Sequence, residues 1–305
     1  MVDSGRIAWV FPGQGSQRVG MGRALADGDP DIAALCAEAD ATLGFDLTRI
    51  IFEGPEDALR QTPVQQPAIL LTSVAYWRAL QSLDLLPQAD FVAGHSLGEY
   101  AALVAAGALD FAAALRLVRR RGELMQEHGA GGMAAILGLS PAEVAAIARE
   151  VGAEVANFNA PDQTTVSGRA EAVQAAVDLA KTRGAKRAIP LSVSAAFHSG
   201  LMTPVVDGMA PLLDAVAMRP ARVPLVANVD SRLLVEPDDL RLELREQICG
   251  AVRWVDVMET LRQKGVSTFY EIGPGKVLAG LIGRCAPGAT VVTAERVLAH
   301  AGIPA

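Results

Sequence analysis

The chain has 305 residues, 51% of them hydrophobic and 20% charged, with a formal net charge of −7 at pH 7. That balance excludes disordered, collagenous and coiled-coil chains, and the length suffices for one large core or for one core carrying a smaller inserted lobe. An acidic chain offers no general basic face to nucleic acid or an anionic membrane. Its three scattered cysteines, Cys36, Cys249 and Cys285, fit neither zinc spacing nor a disulfide framework, so a reducing cytoplasm is expected.

Within residues 1–11 the apolar run before Pro12 is only about five residues long, too short for a signal-peptide core or a membrane span. Residues 6–11 read as a short buried strand, broken by Pro12-Gly13-Gln14-Gly15 and followed by a helix over about 17–27. Residues 66–85 carry apolar side chains at helical spacing. Residues 90–94 then read as a second buried strand running directly into a helix over 97–106. Strand, tight turn and helix in alternation predict a mainly parallel sheet covered by helices.

Farther on the pattern tightens. Residues 133–139 are strand-like, 141–151 helical, 154–159 and 163–167 strand-like, 170–183 helical and 186–193 strand-like. That order, βαββαβ, is the ferredoxin-like motif. The glycine-rich stretch 129–132 supplies a flexible entry. Residues 131–194 are therefore expected to form a lobe inserted into a larger, hydrolase-like α/β domain made of 1–130 and 195–305. The cleft between them is the default ligand site. A basic cluster, Lys181, Arg183, Lys186 and Arg187, stands out on this acidic chain.

Gly94-His95-Ser96-Leu97-Gly98 matches the Gly-x-Ser-x-Gly elbow, and it lies where that motif must lie, between a strand and a helix. Small glycines let the chain bend sharply there, and the following helix turns its first amides toward developing negative charge. Serine needs a base within hydrogen-bond reach. Of the four histidines, His300 lies in a polar tail, His128 precedes the glycine-rich linker, and His95 neighbours the serine, where backbone geometry turns adjacent side chains apart. His198, at the return from the lobe, remains. On the helix predicted over 111–125, Arg121 projects into the apolar stripe made by Phe111, Leu115, Leu117, Val118, Leu124 and Met125, whereas Arg119 and Arg120 do not. An inward guanidinium either snorkels or meets an anion, and its planar fork suits a carboxylate.

Together with Phe11-Pro-Gly-Gln-Gly-Ser-Gln17, Asn157-Phe-Asn-Ala-Pro161, Ala196-Phe-His198 and Glu271-Ile-Gly-Pro-Gly275, these features run in order through nearly the whole chain. The chain thereby resembles malonyl-CoA:acyl carrier protein transacylases and the acyltransferases of polyketide synthases. The resemblance implies Ser96 as nucleophile, His198 as base, Arg121 as clamp for the malonyl carboxylate, and the main-chain amides of Gln14 and Leu97 as oxyanion donors. It also implies that Asn159 orients the base side of the site, that the Arg253 carbonyl orients the histidine in place of an acidic partner, and that Phe197 favours malonyl over methylmalonyl. Malonyl-CoA and an acyl carrier protein are the implied partners, with no metal or other cofactor, and the basic cluster becomes a candidate carrier-docking patch. Ala251 and Asp162 depart from the family's usual proline and glycine. A hydrolase on the same fold, with water resolving the ester, is the rival reading.

Overall fold

The computed structural model describes residues 5–193 and 195–303. Residues 1–4, 194 and 304–305 lie outside that description, and with them the first residues of the N-terminal run and the last residue of the expected lobe. The strands are β1 (Arg6–Phe11), β2 (Phe91–Gly94), β3 (Gly132–Leu137), β4 (Glu154–Ala160), β5 (Gln163–Gly168), β6 (Arg187–Pro190), β7 (Leu225–Val226), β8 (Leu233–Leu234), β9 (Val266–Glu271) and β10 (Thr290–Thr293). They form two sheets. The larger runs β10-β9-β1-β2-β7-β8 and the smaller β4-β5-β3-β6.

In the larger sheet β10, β9, β1, β2 and β7 are parallel, and only the short edge strand β8 is antiparallel. Parallel strands need both faces covered, and β1 shows how its sequence meets that need. Ala8 and Val10 face a core that includes Trp254, Val257, Phe269 and Leu278. Trp9 and Phe11 face the opposite, larger core beneath the helices Thr62–Ser82, Gly98–Ala105 and Phe111–Glu127. Both faces are apolar, so the strand reads as a continuous hydrophobic run.

The smaller sheet is wholly antiparallel, with β3 and β5 central and the helices Pro141–Val151 and Ala170–Thr182 packed on it around their own apolar core. This is the ferredoxin-like order expected from the sequence. It is tied to the larger sheet's side by a parallel bridge between Asn157 and Val252 and by the ion pair of Asp162 with Arg284.

Several boundaries differ from the sequence reading: the strand expected over 186–193 is only Arg187–Pro190, the helix expected over 66–85 is Thr62–Ser82, and two further differences come from glycine. The helix expected over 17–27 starts only at Arg23, because Gly20 and Gly22 take φ of 89° and 72° and keep the preceding segment in turns. The strand expected over 133–139 stops at Leu137, where Gly138 turns with φ 91°; left-handed values of this kind are cheap only for glycine. Among the described residues no helix is long and apolar enough to cross a membrane.

Candidate active site

The site gathers where β1 and β2 end side by side, the position at which open parallel sheets bind ligands. At the end of β2 the chain reverses within one residue. A Cβ on Gly94 would sit 2.0 Å from the main-chain carbon of Gly98, and one on Gly98 would sit 2.1 Å from the Phe11 carbonyl oxygen. Both positions must therefore be glycine. Ser96 between them takes φ 50°, a left-handed conformation that is rare outside glycine and that concentrates at functional sites. The helix Gly98–Ala105 starts two residues later.

The Ser96 Oγ lies 2.8 Å from His198 Nε2. His198 also has a left-handed backbone, φ 56°, and its Nδ1 lies 2.8 Å from the Gln247 carbonyl and 3.0 Å from the Gly250 carbonyl. Carbonyl oxygens only accept, so Nδ1 carries the proton and Nε2 presents its lone pair to the serine. Burial first, and then the neighbouring Arg121 cation, push the imidazole pKa down to about 3. The ring is a neutral base at ordinary pH.

One expected contact is corrected. The Arg253 carbonyl does not reach His198: Arg253 sits just before the helix Trp254–Gln263, and its carbonyl accepts from the Val257 amide to open that helix. The carbonyls of Gln247 and Gly250 do the orienting. Asn159 Oδ1 accepts from His95 Nε2 at 2.8 Å, and the His95 ring packs against Trp254 at 5.5 Å between centroids. His95 is thus fastened away from the serine oxygen.

Arg121 is fully buried. Its Nη1 donates to Gln66 Oε1 at 3.1 Å, and its Nη2 to Gln247 Oε1 at 2.8 Å and Ser96 Oγ at 3.2 Å. Its Nε has no acceptor among the described residues. Every one of these acceptors is neutral, whereas Arg119 and Arg120 on the same helix both reach the Glu123 carboxylate. The main-chain amides of Gln14 and Leu97 likewise have no acceptor among the described residues. Gln14, Ser96, Arg121, Phe197 and His198 all line one cavity of about 700 Å³, which Met133 and Asn157 of the smaller sheet help to close. Among the described residues no cluster of three His, Cys, Asp or Glu side chains could hold a metal ion.

Residues 8–292 match the family model described as the acyl transferase domain. The chain belongs to that acyltransferase family. It is 46% identical over 285 residues to the malonyl CoA-acyl carrier protein transacylase of Bacillus subtilis, covering 91% of this chain and 89% of that protein. Among solved structures it is similar to the malonyl CoA-acyl carrier protein transacylase of Coxiella burnetii, at 39% identity and a TM-score of 0.94 over 97% of this chain and 96% of that one. It is also similar to a malonyl-transacylase solved with its holo type II polyketide synthase acyl carrier protein, at 41% identity and a TM-score of 0.91 over 94% and 95% of the two chains.

The acyltransferase site also contains residues that the sequence reading missed. Gln66 and Gln247 hold Arg121, and Gln247 and Gly250 hold His198. Gln66 could have been found, since it lies on a buried helix where an amide needs a partner. Gln247 and Gly250 follow the end of the helix Pro237–Glu246 and carry no motif.

Proposed function

We propose that this acyltransferase moves a malonyl group from malonyl-CoA to the pantetheine thiol of an acyl carrier protein through an ester on Ser96. The observation that carries the reading is Arg121: a buried cation whose hydrogen-bond acceptors are all neutral, 3.2 Å from the Ser96 oxygen. A malonyl thioester attacked by that oxygen has its carboxylate one methylene beyond the reacting carbonyl, within reach of the guanidinium. The names of the relatives, and the carrier bound to the neighbouring structure, point the same way.

In the first half-reaction His198 Nε2 takes the Ser96 proton, the oxygen attacks the thioester carbon, and the C–S bond breaks as the imidazolium returns its proton to the coenzyme A thiolate. In the second, the carrier's thiol gives its proton to His198 and attacks the serine ester, and the ester C–O bond breaks as the imidazolium returns that proton to Ser96 Oγ. The free amides of Gln14 and Leu97, the latter at the helix N-terminus, receive the developing oxyanion in both halves. Phe197, lining the cavity, limits the substituent allowed beside the carbonyl.

The carrier is placed on Lys186 and Arg187, the members of the basic cluster that make no ion pair among the described residues; Lys181 faces Asp178 and Arg183 faces Glu150. Two net-negative proteins need such a patch to meet. The separate core of the smaller sheet supports its reading as a lobe spanning 131–194, and the reaction's carriers and lone thiols support a cytoplasmic setting. The test is intact mass after incubation with malonyl-CoA. One malonyl adduct is expected on the wild type and none on Ser96→Ala; an adduct mapped to Cys249 instead overturns the mechanism.

A further inference from the structure

Where β2 ends, its ladder partner ends too. The two strands pair as far as Ala93 with Val226, and the elbow then carries the chain away from the sheet. The Gly94 carbonyl and the Ser96 amide are left buried with no strand beside them, and such groups must find partners. Both find the same one. The Ser96 amide donates to Asn228 Oδ1 at 2.7 Å, and Asn228 Nδ2 donates to the Gly94 carbonyl at 2.7 Å. In a parallel ladder one strand residue bonds the carbonyl before and the amide after the residue it faces; the Asn228 side-chain amide does this around His95.

The asparagine is itself immobilised. It is fully buried, its main-chain amide donates to Glu99 Oε1 at 2.9 Å and Glu243 Oε1 at 2.8 Å, and its main-chain carbonyl accepts from the Arg253 amide at 2.9 Å. Glu99 in turn accepts from Gln247 Nε2 at 2.7 Å, and Gln247 Nε2 also donates to the Ser96 carbonyl at 3.1 Å. The elbow and the segment that orients His198 thus share one buried hydrogen-bond network. Its partners also leave the amide one orientation, since an N–H must meet Oδ1 and a carbonyl must meet Nδ2.

We propose that Asn228 is a positioning residue for the nucleophile: its side-chain amide replaces the missing strand partner and holds the left-handed turn that aims Ser96 Oγ at His198. This rests on Ser96 being the nucleophile. Asn228 touches neither substrate nor the reacting oxygen, so its loss should misdirect the attack without weakening malonyl-CoA binding.

The test is quenched-flow acylation of the full chain by malonyl-CoA, read by intact mass, for wild type and Asn228→Ala. The adduct amplitude should stay near one per folded chain and half-saturation within about twofold, while the acylation rate constant falls about 10²-fold, the scale of a misplaced reacting group. A purely structural role gives the opposite split, a lower amplitude from unfolded chain at the wild-type rate constant, and would overturn the proposal. If Asn228→Ala does not fold, Asn228→Asp decides by the same criterion, since it keeps the acceptor for the Ser96 amide and loses the donor to Gly94. Absence of any adduct on the wild type would instead defeat the Ser96 reading.

Discussion

Ser96 and His198 both sit on left-handed backbone, φ 50° and 56°, 2.8 Å apart, yet they are put there in different ways. Ser96 is placed largely by its own neighbourhood, a strand that ends, two glycines that cannot be anything else and a helix that begins, with the Asn228 side chain bracing the turn from 132 residues away. His198 is placed from outside, by carbonyls that lie 49 and 52 residues away in the chain. Local residues can build a sharp turn, but an imidazole with a fixed tautomer needs acceptors delivered by another element. The difference predicts that the nucleophile side fails by changes at its own glycines or at the Asn228 brace, and the base side by changes in the segment that carries Gln247 and Gly250.

Breaking the base side has the largest expected effect after loss of Ser96 itself. His198→Ala should slow acylation by at least about 10²- to 10⁴-fold, the usual worth of a general base, with thioester binding retained; His95→Ala should not match it. Rapid-quench rates on both variants check this. The imidazole's pKa, pushed down to about 3 mainly by burial, also means that wild-type acylation should show no titration near the ordinary histidine value of about 6.5. The sign for stability follows: a neutral buried histidine contributes stability that is whole above about 6.5 and is lost as pH falls from there toward the folded value.

Arg121 sharpens the comparison because it touches both sides, bonding Ser96 Oγ and Gln247. Arg121→Ala should cost malonyl transfer about 2–5 kcal/mol, the range for removing one member of a desolvated charge pair, while acetyl transfer holds or improves. Steady-state kcat/KM for the two thioesters is the measurement. Equal losses on both would make Arg121 a support of the fold. Because its cation is the second cause of the low imidazole pKa, the acid limb of the variant should also move upward.

The same contrast explains what could be read from the sequence. Gly94, Ser96 and Gly98 were legible because their constraint is local, and Arg121 because helical periodicity puts it inside an apolar stripe. The parallel class of the larger sheet and the order of the smaller one followed from alternation of elements, but β7, β8, β9 and β10 were not read, and the strand end at Leu137 was missed where Gly138 turns the chain. Gln247, Gly250 and Asn228 were illegible: their parts depend on which distant groups need a donor or an acceptor once the chain has folded. The assignment to Arg253 failed for this reason, its carbonyl being consumed by a helix start. Glu271, read as part of a motif, proves to be a buried carboxyl that binds the amides of Leu278 and Ala279 at the start of the helix Val277–Cys285.

The smallest expected effect concerns the residue beside the base. Phe197 is buried in the larger apolar core and lines the cavity next to His198. Forcing one extra methyl into a packed pocket costs about 1–3 kcal/mol, and discrimination by one carbon in such pockets is about 10- to 200-fold in kcat/KM. Malonyl-CoA should outcompete methylmalonyl-CoA by that order. Phe197→Ser should narrow the gap while acylation of Ser96 stays measurable, because a steric filter can be removed without disturbing the carbonyls behind the histidine. If Phe197 instead holds the core in place, the variant should lose both substrates together and melt earlier, and parallel thermal denaturation separates the two outcomes. A wild-type preference under about threefold would be too small for a filter of this kind, and selection would then rest on Arg121 alone.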